Sequence, residues 1–155
     1  MKPGGAARAT PDVPVGSRDV LFIMAEEHRE RANSPRVLLV DDEPIIRDAI
    51  VSFLPARGGH VIAASSAVTA LNILSLRAAI DVLVSDIQMP TRDGFWLIRE
   101  VRSKPLFRSL PAIAFTPSEG NTVSAFSRRF SEHVVKGDVH GLWLMIQALR
   151  RRAAG

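Results

Sequence analysis

The 155-residue sequence contains no cysteine, and only 6% of its residues are aromatic. Without cysteine the chain can form neither a disulfide framework nor a thiolate metal site, which suits a reducing cytoplasm. Its longest uninterrupted aliphatic runs span several residues, whereas a membrane-spanning helix needs about 20 apolar residues. The 46% of hydrophobic residues suffice for one core. We therefore expect a soluble, cytoplasmic protein with no membrane segment.

The net charge of +4 is small and unevenly distributed. Residues 1–34 carry five basic and five acidic side chains, so the whole excess lies in residues 35–155. Three arginines, Arg150, Arg151 and Arg152, stand near the end of the chain. Such a run can contact nucleic acid, but it is more often a solvated helix end that suits the negative C-terminal dipole. We do not expect nucleic-acid binding.

Residues 1–34 are predicted to form an N-terminal extension that is disordered or partly helical. Residues 1–17 are rich in Gly, Pro and Ala and show no periodicity, which indicates a disordered tail. The apolar stretch Val20–Ala25 is too short, and too far from Met1, for a secretory signal. The charged stretch Glu26–Arg31 that follows can extend a short helix.

From Pro35 onward, apolar strand-like runs alternate five times with helical patterns. The helix predicted within Pro117–Ser131 has the weakest pattern. Continuous apolar strands indicate a parallel sheet that is covered on both faces. We predict one α/β domain over residues 35–152, a doubly wound five-stranded parallel sheet with helices on both faces and no output domain after it. The predicted strands are Val37–Val40, Val61–Ala64, Val82–Ser85, Pro111–Thr116 and Val134–Val135.

Polar side chains stand at the carboxyl ends of four of these strands. Right-handed crossovers bring those ends to one edge of the sheet, where α/β proteins bind ligands. The second strand contributes neither an acid nor a base, as expected if it lies to one side. The residues predicted to meet at this edge are Asp41, Asp42, Asp86, Thr116 and Lys136.

This combination of groups predicts a site for a phosphoryl group and Mg²⁺. Carboxylates about 4 Å apart repel each other by about 4 kcal/mol at an effective dielectric constant near 20, so the cluster needs a cation or shifted pKa values. Mg²⁺ takes one or two carboxylates together with waters and phosphate oxygens. An aspartate can attack phosphorus, and a lysine, a hydroxyl group and a metal stabilise the transferring group.

Residues 36–150 resemble the response-regulator receiver domain of two-component signalling, which is CheY-like and has a flavodoxin-like fold. The resemblance rests on an acidic pair after the first strand, Asp-x-x-Met-Pro after the third, Thr after the fourth and Lys after the fifth. It implies that Asp86 is the phospho-acceptor, that Lys136 pairs with the phosphoryl group and that Thr116 moves to hydrogen-bond it. The implied Mg²⁺ ligands are Asp41, Asp42, Asp86 and the backbone carbonyl of Gln88.

Three positions depart from the family pattern. Pro117 follows the switch threonine and lacks the backbone N–H that helps to hold the phosphoryl group, so we hypothesise a less firmly read or shorter-lived phosphate. Gly137 replaces a proline and loosens the loop that carries the lysine. His133 occupies the position of the aromatic switch residue, where it can either pack like an aromatic ring or titrate near neutrality; we favour packing.

The resemblance implies a single-domain, non-enzymatic switch that is phosphorylated by a sensor histidine kinase or phosphotransfer protein and acts by binding an unidentified protein. A homodimer could form through the face of the Pro117–Ser131 helix, the fifth strand and the last helix. One alternative is a pseudo-receiver scaffold or dimerisation module that works without phosphorylation. A phosphoryl-transfer enzyme is disfavoured because Gln88 stands where such enzymes commonly have a second acid, and glycine-rich nucleotide loops are absent.

Overall fold

A computed structural model describes residues 16–76, 79–117 and 129–155, and the chain divides after Asn33 into two compact units. In the described part of the first unit, residues 16–33, the chain forms one helix, α1 (Ser17–Asn33), which includes both the apolar stretch and the charged stretch that follows it. The tail up to residue 15, and residues 118–128 of the predicted fourth helix of the domain, lie outside the described residues. Within the described part, no helix combines the length and the apolar character needed to cross a membrane.

The second unit is built on a five-stranded parallel sheet with the order β2-β1-β3-β4-β5. The prediction of a doubly wound parallel sheet is confirmed. Both edge strands begin earlier than predicted, β2 at His60 and β5 at Glu132, because polar residues at a sheet edge interrupt the apolar pattern without interrupting the backbone pairing. The strands are β1 (Arg36–Val40), β2 (His60–Ala64), β3 (Val82–Ser85), β4 (Ala112–Thr116) and β5 (Glu132–Val135).

Each helix of this unit begins at a residue that suits a helix N-terminus. Pro44 opens α2, where its missing N–H costs no hydrogen bond. Ser66 Oγ accepts a hydrogen bond of 3.2 Å from the Thr69 N–H and caps α3. Asp93 and Asp138 cap α4 and α5 in the same way, each with an N–O distance of 2.8 Å. These helices are α2 (Pro44–Phe53), α3 (Ala67–Leu76), α4 (Gly94–Ser103) and α5 (Val139–Ala154).

Alternate residues of the central strands fill two cores on opposite faces of the sheet. The core beneath α3 and α4 contains Leu38, Leu83 and Ala114. The core beneath α2 and α5 contains Leu39 and Val84 from the same strands. Every residue of β3 and β4 is buried, as continuous apolar strands require. The carboxyl edge of the sheet is therefore held from both sides.

Arg102, near the end of α4, donates hydrogen bonds to the two chain segments that precede β4 and β5. Its Nη1 donates to the carbonyl oxygens of Phe107 at 3.2 Å and Leu110 at 2.7 Å, shortly before β4. Its Nε and Nη2 donate to the carbonyl oxygen of Arg129 at 3.1 and 2.9 Å, before β5. Burial lowers the pKa of the Arg102 guanidinium from its usual value, although an arginine remains charged at neutral pH.

We expect Arg102→Ala to lower the free energy of unfolding by about 2–4 kcal/mol, because three carbonyl groups lose hydrogen bonds to a charged donor. Urea denaturation followed by circular dichroism measures the change. Arg108→Ala removes an exposed arginine from the neighbouring turn and should cost no more than about 0.5 kcal/mol. Equal losses in the two variants would contradict the role given to Arg102.

Candidate functional site

The polar residues at the ends of the strands share the carboxyl edge of the sheet, as predicted. Asp41 follows β1, Asp86 follows β3, Thr116 ends β4 and Lys136 follows β5. The outer strand β2 supplies no acid or base to this edge, in agreement with its place in the strand order. The sheet ladder continues into the site, because the Asp86 N–H donates to the Val40 carbonyl oxygen at 2.8 Å.

Three aspartates form an acidic cluster at this edge. Asp41 is fully buried, Asp86 is 2% exposed and Asp42 is half-buried. One carboxylate oxygen from each lies within 4.8 Å of the others. Asp41 Oδ1 is fixed by a hydrogen bond of 2.9 Å from the Glu43 N–H. Buried like charges at this spacing require a compensating cation.

Lys136 supplies positive charge to the cluster. Its ammonium nitrogen lies 2.8 Å from Asp41 Oδ2 and 3.0 Å from both Asp86 Oδ2 and Glu43 Oε1. Burial by itself would lower the pKa of Lys136, but the interactions with these three carboxylates outweigh burial and raise the pKa above its usual value. The ammonium group is therefore charged throughout the physiological pH range.

Burial raises the pKa of Asp86 above its usual value, and the hydrogen bond and charge of Lys136 offset part of this effect. The neighbouring Asp41 charge raises the pKa further, whereas a hydrogen bond of 3.2 Å from the Gln88 N–H to Asp86 Oδ1 lowers it. A buried carboxylate is poorly solvated, and a bond to an electrophile relieves that cost at the oxygen that forms the bond.

The donor set at this edge fits a hard divalent cation. Asp41 Oδ2 is buried, and the Lys136 ammonium lies 2.8 Å from it. Oxygen atoms of Asp42 and Asp86 lie close enough to share one ion with it. Mg²⁺ prefers such carboxylate oxygens. Gln88, predicted to add a carbonyl ligand, is placed next to the cluster by its N–H bond to Asp86.

Thr116 and His133 are hydrogen bonded to each other across β4 and β5. Thr116 Oγ1 lies 2.6 Å from His133 Nε2. Thr116 is buried and His133 is half-buried. The interpretation of His133 as a packing residue does not account for this polar contact, which ties the histidine to the threonine hydroxyl.

Several residues that support the site were not predicted. Glu43 directly follows the acidic pair and contacts Lys136. Arg47 Nη1 donates to the Asp41 carbonyl oxygen and Ser85 Oγ to the Asp86 carbonyl oxygen, both at 2.7 Å. Gly94, the first residue of α4, is a further one, because a Cβ atom there would collide with the backbone of Asp86. In the sequence, only the position of Gly94 directly after Asp93, a residue that suits a helix cap, could have indicated this close approach.

Comparisons with known proteins match residues 37–140 to the family described as response regulator receiver domain. A protein of Leptolyngbya boryana named "Uncharacterized 14.6 kDa protein in sodA1 3'region" is 39% identical over 102 residues, which are 64% of this chain and 77% of that protein. Sensor kinase CckA of Brucella abortus (strain 2308) is 36% identical over 118 residues, which are 76% of this chain but 12% of the kinase.

Among solved structures, the response regulator receiver domain protein of Clostridium thermocellum superposes with a TM-score of 0.69 at 25% identity. The alignment covers 77% of this chain and 97% of that structure. The family match over residues 37–140 falls within the unit that carries the acidic cluster.

We expect Lys136→Met to lower the free energy of unfolding by about 3 kcal/mol when divalent cations are chelated, because buried carboxylates lose their cation. Added Mg²⁺ should recover part of the loss, since it offers the same carboxylates a positive partner. Thermal unfolding with EDTA and with Mg²⁺ measures both effects. The exposed Lys104→Met is the matched control, and a loss of the same size there would contradict this account.

Proposed function

The chain belongs to the response regulator receiver domain family, and from this premise we propose that Asp86 accepts a phosphoryl group from a histidine kinase or phosphotransfer protein. Receiver domains are signalling modules of two-component systems, and the phosphorylated form of this one would signal by binding another protein. The observation that carries the proposal is the Asp86 carboxylate, buried at the carboxyl edge of the sheet, 3.0 Å from the Lys136 ammonium and within one cluster with Asp41 and Asp42.

Asp86 is the nucleophile in this proposal. One of its carboxylate oxygens bonds to phosphorus while the bond between phosphorus and the donor's leaving atom breaks. The electron pair of that bond stays with the donor, which takes a proton from solvent. Because burial disfavours the free carboxylate, conversion to an acyl phosphate removes a poorly solvated charge from the Asp86 oxygen that forms the bond.

Mg²⁺ is the proposed cofactor, and Asp41, Asp42, Asp86 and the Gln88 carbonyl are its proposed ligands. When bound, it supplies positive charge to phosphoryl oxygens. Lys136 supplies a second positive charge to the cluster, where it is already held by ion pairs of 2.8 to 3.0 Å. A phosphoryl group on Asp86 would draw this ammonium toward its own oxygens.

The proposed switch is the Thr116 hydroxyl, and we propose that His133 restrains it. Thr116 Oγ1 lies 2.6 Å from the His133 ring nitrogen, so a hydrogen bond to a phosphoryl group on Asp86 requires Thr116 to leave the ring. The cost of breaking that contact is subtracted from the energy that phosphorylation makes available for switching. His133 thereby adjusts how far one phosphoryl group shifts the equilibrium.

The proposed partner-binding face includes β5 and α5, and the helix predicted within Pro117–Ser131 falls mostly outside the described residues. Between β5 and α5 lies an open cleft of about 590 Å³, lined by His133, Asp138 and Met145 among others. Release of Thr116 would alter the surroundings of His133 in this cleft. The unidentified downstream protein would bind here, and a second copy of the chain could use the same face.

A scaffold or dimerisation module that works without phosphorylation is the second candidate. Pro117 favours it, because a proline after Thr116 cannot donate a backbone hydrogen bond to a phosphoryl group. Gly137, with a φ of 101°, also gives the loop after Lys136 a backbone conformation that side chains rarely adopt. A phosphoryl-transfer enzyme has no comparable support, since the residue two positions after Asp86 is the exposed amide Gln88.

Incubation with acetyl phosphate and Mg²⁺ should add the mass of one phosphoryl group to the intact chain. Asp86→Asn should abolish the addition, because an amide cannot act as the nucleophile. Asp48→Asn, which removes an exposed acid on α2, should not change it. Intact-mass spectrometry measures all three. If the wild-type chain gains no mass while it binds Mg²⁺ normally, the scaffold function replaces the proposed one.

We expect His133→Phe to increase the fraction of switched protein at a given level of beryllofluoride by about twofold to tenfold, because one hydrogen bond no longer holds Thr116. NMR chemical shifts of β4 and β5 amides during a beryllofluoride titration measure the fraction. His140→Phe, on the exposed start of α5, is the matched control. A His133→Phe titration that overlays the wild-type curve would show that the histidine does not restrain the switch.

A further inference from the structure

A second open cleft, of about 440 Å³, lies beside the N-terminus of α4, and its lining residues include none of the groups assigned to phosphoryl transfer. Three arginines and two aromatic rings line it: Arg92, Arg99, Arg129, Phe95 and Trp96. We call it the arginine cleft. We propose that the arginine cleft binds a short acidic segment of a partner protein. The proposal does not require phosphorylation of Asp86.

Arg92 is arranged to bind a carboxylate. Its guanidinium carbon lies 5.1 Å from the centroid of the Trp96 ring, so the cation is held on the face of the indole. Stacking uses the face of the guanidinium and leaves its N–H edge directed outward for bidentate contact. The preceding residue, Thr91, has a φ of 68°, and the Arg92 N–H donates to the Pro90 carbonyl oxygen at 2.7 Å. A tight turn therefore presents this arginine.

The other two arginines reach the same cleft from different elements. Arg129 is placed by its backbone, because its carbonyl oxygen accepts two hydrogen bonds from Arg102. Arg99 extends from α4 and lies 3.9 Å from Glu100, an exposed pair that competes weakly with a ligand. Among the residues that line the cleft, the one acid is Asp93, and its Oδ1 already accepts the helix-capping hydrogen bond from the Trp96 N–H.

Charge and shape together favour an acidic peptide segment. Three guanidinium groups around one cleft match two or three carboxylates, and each such contact is charge-assisted. The half-buried rings of Phe95 and Trp96 offer apolar surface to the residues between those acids. A long polyanion fits less well, because acidic Asp42 and Glu43 belong to the same domain's carboxyl edge, where they repel a phosphate backbone.

The test uses the full ¹⁵N-labelled chain and hexaglutamate as the probe, with hexaglutamine as the uncharged comparison. The sequence has two tryptophans, so the spectrum has two indole N–H signals. Trp96 lines the cleft, whereas Trp143 is buried in the core on the opposite face of the sheet and serves as an internal control. Hexaglutamate should shift the Trp96 signal saturably and leave the Trp143 signal in place, and hexaglutamine should shift neither.

Arg92→Gln should weaken hexaglutamate binding about tenfold, the effect of losing one charge-assisted contact. Arg57→Gln is the matched control. Arg57 also stacks on an aromatic ring, 3.6 Å from the Phe53 centroid, but it lies in the short helical turn after α2 and does not line the arginine cleft. Equal weakening by both variants, or an equal shift with hexaglutamine, would overturn the proposal. Tighter binding of oligodeoxythymidylate through Arg92 would also overturn it, in favour of nucleic acid.

Discussion

The structure of the site depends on one lysine ammonium group that contacts three carboxylates. Lys136 Nζ lies within 3.0 Å of Asp41, Glu43 and Asp86, and Asp42 belongs to the same acidic cluster. One positive charge cannot neutralise four negative ones, so the cluster retains a net negative charge in a partly buried place. Such a place favours a divalent cation, and a phosphoryl group, which adds further negative charge, needs that cation and the Lys136 ammonium beside it. The same imbalance therefore underlies the proposed metal binding and the proposed dependence of Asp86 phosphorylation on the metal.

The parts of this arrangement that follow from chain topology could be predicted from the sequence. Continuous apolar runs mark buried parallel strands, and parallel strands deliver Asp41, Asp86 and Lys136 to one edge whatever the details of packing. The contacts of Glu43 and Arg47 could not be predicted, because they depend on how the start of α2 packs against the ends of the strands. The close approach of Gly94 to the Asp86 backbone could not be predicted either, because it depends on where α4 packs rather than on any local pattern.

The contact between Thr116 and His133 shows the same limit at the level of strand register. Thr116 pairs with Val135 in the register of β4 and β5, and His133 lies two residues earlier, on the same face of the sheet. The two side chains are thus diagonal neighbours across the ladder, a separation that long side chains can bridge. A one-residue shift would have placed the histidine on the opposite face. The sequence specifies the two residues but not their register, so packing and hydrogen bonding could not be distinguished beforehand.

The short loop from Asp86 to Gly94 joins the acidic cluster to the arginine cleft. The Gly94 N–H donates to the Ile87 carbonyl oxygen at 2.9 Å, and no side chain fits between Gly94 and the Asp86 backbone. The start of α4 is therefore packed directly on the residue proposed to accept the phosphoryl group. The negatively charged acidic cluster and the positively charged arginine cleft are thus connected by one short loop. If both proposals hold, a partner bound in the cleft and a phosphoryl group on Asp86 influence each other's affinity through this loop, and by thermodynamic linkage the influence is equal in both directions.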